Sequence, residues 1–136
     1  MSTSRILVSS GTDFESTGGY SRAVRVGPLV AVAGTTGPGT PGDIGAQTRE
    51  ALRRIEIALN EAGAALSDVI RTRIYVTDIS RWREVAVVHA EVFGQIRPAA
   101  TMVEVAALIA PELLVEVEAD AYSAIAANEP SAEGRN

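Results

Sequence analysis

The stretch "DVIRTRIYVTDISRWREVAVVHAEVF" (68–93) changes period at its middle. Over 68–78 the residues alternate. Ile70, Thr72, Ile74 and Val76 are predicted on one face, and Arg71, Arg73 and Tyr75 on the other, which is the two-residue repeat of a strand. From 79 to 93 the repeat lengthens to three and four. Trp82, Val85, Ala86, His89, Val92 and Phe93 then fall on one stripe of a helix that Ser80 is placed to cap. A strand followed at once by a helix makes this a mixed α and β chain.

Working outward, the same two repeats recur. "RILVS" (5–9) reads as a short apolar strand. "SRAVRV" (21–26) alternates, with Val24 and Val26 on one face and Ala23 and Arg25 on the other. Gly27 and Pro28 turn it into "LVAVAGT" (29–35), so the pair predicts a hairpin. "TTGPGTPGD" (35–43) is too rich in Gly and Pro to be anything but loop. Ile44, Thr48, Ala51, Ile55, Ala58, Leu59 and Ala62 then predict a helix, with Asp43 as N-cap and Gly63 just past its end. Two final strands are predicted over 100–108 and 113–123, with Pro111 and Glu112 in the turn between them.

The resulting order is β-β-β-α-β-α-β-β, an α+β domain over 1–125 with a six-stranded sheet. Two amphipathic helices cover one face of such a sheet. Yet "LVAVAG" and "TMVEVAAL" are apolar on nearly both faces, and a strand of that kind expects cover on both. A second copy of the chain is the expected cover, and symmetry favours a closed ring. The small, polar tail over 126–136 is expected to lack fixed structure.

Composition excludes several chemistries. The 136 residues contain no Cys, so there is no disulfide and no thiolate nucleophile. All twelve basic residues are Arg, which rules out a Schiff-base or P-loop lysine. His89 stands alone, so no multi-histidine metal site is expected within one chain, and no cofactor is implied. A net charge of −5 suits nucleic-acid backbones poorly, and the Arg49, Arg53 and Arg54 cluster has the spacing of a solvated helix face. No apolar run reaches the ~20 residues of a membrane helix, and Met1–Arg5 carries no apolar leader, so the expected location is the cytoplasm.

The chemistry-bearing candidates each have a plainer reading. Glu116, Glu118 and Asp120 share one strand face; one of them faces a cleft as a base or water anchor, or all three pair with arginines such as Arg71 and Arg73. Tyr20 either offers a cleft hydroxyl or closes the hairpin. His89 reads as a satisfied core or interface histidine.

Three blocks carry a resemblance: "GGYSRAVRVGPLVAVAGTTG" (18–37), "ALNEAGAALSDVIRTRIYVTDISRW" (58–82) and "RPAATMVEVAALIAPELLVEVEADA" (97–121). In this order they resemble the signature blocks of the YjgF/RidA family, also called L-PSP endoribonucleases. The resemblance implies a chorismate-mutase-like fold. It also implies a homotrimer with clefts between subunits, in which deaminase members hydrolyse enamines and imines derived from amino acids.

Residue by residue, it implies the following. Tyr20 matches the tyrosine of "PYSQ". Ala33 and Gly34 match the first two residues of "SGQ", with the serine hydroxyl missing. Glu116 matches the glutamate of "VEIEA", which is thought to order the attacking water. Pro98-Ala99-Ala100-Thr101 matches "PARS", whose arginine grips the substrate carboxylate; here that residue is Ala100. Thr101 and Met102 follow on the same strand as candidate binding residues, with a core position as the plainer reading of Met102. Arg97, otherwise an exposed loop charge, and with a weaker claim Arg73 are the candidate replacements for the missing guanidinium. The expected function is therefore a small-metabolite cleft with an altered imine substrate. A non-catalytic binding module is the alternative, and ribonuclease activity is less favoured.

Overall fold

The computed structural model describes residues 4–124. Its single six-stranded sheet contains β1 (Arg5–Val8), β2 (Ala23–Val26), β3 (Leu29–Thr36), β4 (Val69–Val76), β5 (Ala99–Glu104) and β6 (Val115–Tyr122), in the order β1-β2-β3-β6-β4-β5. Only β4 and β5 pair in parallel, so the sheet is mixed. The parallel pair is joined through α3 (Trp82–Phe93), as a crossover between parallel strands requires.

The long helix α2 (Ile44–Glu61) forms where the sequence places it. Asp43 caps it, its carboxylate accepting the Ala46 N–H at 2.9 Å. Gly63, at φ +80°, turns the chain out of the helix in the left-handed conformation that favours glycine. The predicted stripe of Ile44, Thr48, Ala51, Ile55, Ala58, Leu59 and Ala62 is buried. Together with Leu52 it packs on Val30, Val32, Val115, Val117 and Ala119 of the central strands. Gln47 is buried on the same stripe. Its amide donates to Glu112 O at 3.1 Å and accepts the Leu114 N–H at 2.9 Å, which fixes the turn entering β6.

Arg25, predicted opposite Val24 and Val26, is buried. Its guanidinium donates to Gly27 O, Ala62 O and Ser123 O at 2.6–2.9 Å, tying the β2–β3 hairpin to the end of α2 and the exit from β6. A cation among the terminal carbonyls of a helix also meets the negative end of its dipole.

Several expectations are corrected. A third helix, α1 (Asp13–Gly18), precedes β2. It is too short for any period to reveal and is held by Glu15, whose carboxylate accepts from Ser9, Ser10 and Thr12. Ile70 is 53% exposed rather than in phase with Thr72, because the β4–β6 register slips between Val69 and Arg71. Asp78, not Ser80, caps the turn before α3, and the Ser80 hydroxyl donates to it at 2.6 Å. Trp82 is 44% exposed, and Val88 joins the buried stripe instead. The last two strands are shorter than predicted. The predicted unstructured tail lies outside the described residues.

Alternation along β6 divides the two faces. Val115, Val117, Ala119 and Ala121 are buried beneath the helices, whereas Glu116, Glu118 and Asp120 lie on the other face. Among the described residues that second face has no helix over it, and Leu29 and Tyr122 are exposed on it.

Candidate active site

The site forms where β3 and β6 lose register. A bulge between Val32 and Thr35 carries Ala33 and Gly34 out of the regular ladder, and Glu116 pairs with Thr36 just beyond it. The Glu116 side chain lies across Gly34 so closely that a Cβ there would collide with Oε2. Glycine is thus needed for clearance at this point. Glu116 is half-buried, and burial is the main reason its pKa rises above the ordinary carboxylate value. The charge of Glu118 adds to the rise and Arg22 opposes it.

Tyr20 and Arg22 reach the same region from the segment before β2. The Tyr20 N–H donates to Glu15 O at 3.0 Å, so α1 sets where the tyrosine stands. Arg22 is pinned by backbone bonds to Val8 and Ala33, at 2.8 and 3.0 Å. Its guanidinium carbon lies 5.8 Å from the centre of the Tyr20 ring. Nη1 donates to Thr35 Oγ1 at 3.3 Å, and that hydroxyl in turn donates to Ala33 O at 2.8 Å. Arg22 and Thr35 were missed in the sequence reading. The available signal was the glutamine of "PYSQ", whose place Arg22 takes with a full positive charge.

Beside this group opens a cleft of about 540 Å³, lined by Tyr20, Val24, Ala33, Arg73, Glu118 and Asp120 among others. Arg73 contacts Asp120 at 3.0 Å and Glu118 at 3.4 Å, and Tyr75 donates to Glu118 at 3.0 Å. The plainer reading of the carboxylate ladder therefore holds for Glu118 and Asp120, and Glu116 is the exception. Arg73 is engaged by those two acids.

The remaining candidates lie elsewhere. Ala100, Thr101 and Met102 are on β5, separated from β6 by β4 and so by roughly 10 Å at ordinary strand spacing. Ala100 is the register partner of Thr72, which is buried on the helix-covered face, and Met102 packs against the core. Arg97 is exposed after α3 with φ +57°, unusual for a residue with a side chain. One chain thus brings Tyr20, Ala33, Gly34 and Glu116 together with Arg22, and places Arg97 and Ala100–Met102 apart from them.

His89 is satisfied: Nε2 lies 2.9 Å from Thr72 Oγ1, its ring packs on Phe93, and burial lowers its pKa. Arg53 and Arg54 both pair with Glu50, and Arg49 pairs with Glu91. Among the described residues there is no metal-binding group of three or more His, Cys, Asp or Glu, and no helix long and apolar enough to cross a membrane.

Known proteins resemble this arrangement over most of the chain. The Endoribonuclease L-PSP family matches residues 10–123. A RutC family protein of Pyrococcus abyssi is 39% identical over 111 residues, covering 77% of this chain and 87% of the relative. The 3-aminoacrylate deaminase RutC of Acinetobacter baylyi is 37% identical over 81 residues, covering 60% of this chain and 64% of the enzyme. A crystal structure of a member of the highly conserved YjgF/YER057c/UK114 family from Mycobacterium tuberculosis matches with TM-score 0.85 and 75% identity, covering 88% of this chain and 99% of that one. With sequence and fold in agreement from the first strands to the last, the chain belongs to the Endoribonuclease L-PSP family, also called the YjgF/RidA family.

Proposed function

We propose that this protein is a divergent deaminase that hydrolyses small enamines or imines to a carbonyl compound and ammonia, in clefts completed between copies of the chain. The observation that carries this reading is Glu116: a half-buried carboxylate laid over Gly34 whose pKa is raised by burial. Such a group exchanges protons more readily near neutral pH than an exposed glutamate. An enamine first takes a proton from solvent on carbon to become the iminium ion. Water then adds to the iminium carbon, giving up a proton to Glu116 and leaving a neutral carbinolamine. Glu116 returns that proton to the nitrogen, the carbon–nitrogen bond breaks to release ammonia, and the hydroxyl proton goes back to solvent as the carbonyl forms.

The similarity to a 3-aminoacrylate deaminase supports the substrate class, since 3-aminoacrylate is itself an enamine. A closed trimer is the proposed assembly. The uncovered sheet face supports it, as does the distance of β5 from Glu116 within one chain. The second reading, a binding module without turnover, is favoured by Ala100, which cannot form the two parallel bonds of an arginine to a carboxylate. Ribonuclease activity has less support, because the net charge is −5 and the arginines of α2 are paired with carboxylates.

The test is ammonia release while an enamine such as 3-aminoacrylate is generated in the cuvette. Wild-type protein is expected to speed the release above the buffer rate. A rate equal to buffer leaves the binding module as the reading.

A further inference from the structure

We propose that Arg22 and Thr35 are a positioning pair for Glu116. Arg22 pins the bulge beneath the carboxylate, and the Thr35 hydroxyl holds the guanidinium back from an ion pair that would occupy the base. The assignment rests on the deaminase reading above and names what keeps Glu116 free to accept a proton.

Gly34 is the floor on which the Glu116 carboxylate lies. Arg22 fixes the residue on each side of it. Its carbonyl accepts the Ala33 N–H at 3.0 Å, and its Nη1 donates to Thr35 Oγ1 at 3.3 Å. Thr35 is 1% exposed, and its hydroxyl donates to Ala33 O at 2.8 Å, which closes the bracket around Gly34. The Arg22 N–H donates to Val8 O at 2.8 Å, so the bracket hangs from β1 rather than from the strand that carries Glu116. A shift in these bonds moves the floor, and the carboxylate with it.

The guanidinium is also kept where it does not pair with the carboxylate. It is close enough to act on Glu116 as a positive charge. Yet no ion pair joins them, although Arg49, Arg53, Arg54, Arg73 and Arg81 each close on a carboxylate at 2.7–3.4 Å. Arg22 instead lies between Thr35 and the ring of Tyr20, with its Nε buried and without a partner among the described residues. An unpaired buried donor is unfavourable, and a carboxylate is a stronger acceptor than a hydroxyl. The placement is therefore one that Thr35 and Tyr20 impose on the guanidinium. The other groups facing Glu116 are Glu118 on its own strand and Tyr75, its register partner on β4, whose hydroxyl donates to Glu118. Neither brings a positive charge. The position of Arg22 thus decides how free the carboxylate is, because a paired carboxylate takes up a proton less readily.

The test is NMR titration of the Glu116 carboxyl in protein carrying isotope-labelled glutamate, the signal being the one lost in Glu116→Gln, with ammonia release measured across the same pH range. Thr35→Val removes the hydroxyl and should let Arg22 close on Glu116. The titration midpoint is expected to fall below that of wild type, and the acceleration of ammonia release at neutral pH to drop by about 10-fold or more. Thr35→Ser keeps the hydroxyl and should behave as wild type. Arg22→Gln removes the opposing charge and should raise the midpoint. Arg22→Gln combined with Thr35→Val should raise it too, because no guanidinium is left to pair. A general loosening of the bulge would instead move every variant toward the ordinary carboxylate value. A midpoint that Thr35→Val lowers with or without Arg22, or one that Arg22→Gln leaves unchanged, overturns the assignment. If Thr35→Val does not fold, Arg22→Gln carries the comparison. The expected titrations in a protein with no ammonia-releasing activity overturn the deaminase reading alone. Turnover by wild type with midpoints indifferent to both residues overturns this assignment alone.

Discussion

Gly34 and Glu116 form one unit. The carboxylate occupies the space that any side chain at position 34 would need. Gly34→Ala is therefore expected to displace Glu116 and to destabilise the fold by ~1–3 kcal/mol through overpacking. Denaturant unfolding reads the stability and ammonia release reads the site; an alanine variant unchanged in both would refute the contact. Glu116 also links function to pH. Its folded pKa lies above its ordinary value, so the folded chain binds this proton more tightly than the unfolded chain. Stability then falls as pH rises through the window from the ordinary value to the raised one. Glu116→Gln is expected to melt higher than wild type at neutral pH, with the gap closing below the ordinary carboxylate range. Melting curves across pH check this, and a lower melting point at neutral pH would contradict it. Glu116, Tyr20 and Gly34 were legible because they sit in short motifs. Arg22 was not, because its neighbours Thr35 and Glu116 reach it only after β2, β3 and β6 pair.

The helices and most strands were legible because α2 and β6 each bury one face at a regular repeat. Where the repeat was interrupted, the reading failed: Ile70 looked inward by parity until the register slip turned it out. α1 is six residues long, so its Ser and Thr contacts to Glu15, not any periodicity, hold it. Arg25 is the element-scale prediction. Its guanidinium joins three carbonyls from three parts of the chain in a buried site. Arg25→Met fills the volume but strands those acceptors, so a loss of about 3 kcal/mol in chemical unfolding is expected. A loss below ~0.5 kcal/mol, typical of surface changes, would mean that water satisfies the carbonyls.

Across the whole molecule, the helices cover one face of the sheet, and the other carries Leu29, Tyr122 and the Arg73–Asp120 pair. Sedimentation at micromolar concentration is expected to show a trimer, and a stable monomer would remove the proposed partner for that face. The topology would give the proposed trimer a chemical purpose: Glu116 and position 100 lie on strands that one chain keeps apart, so in that proposal a complete cleft draws on two copies. The decisive measurement is ammonia release from a freshly generated enamine by wild type and Glu116→Gln side by side, with sedimentation verifying that both share one assembly. Wild type should exceed the buffer rate, and the variant should lose about 100-fold or more of that acceleration, the scale of a positioned acid–base group. A Glu116→Gln protein of the same assembly that releases ammonia as fast as wild type contradicts the assignment of Glu116.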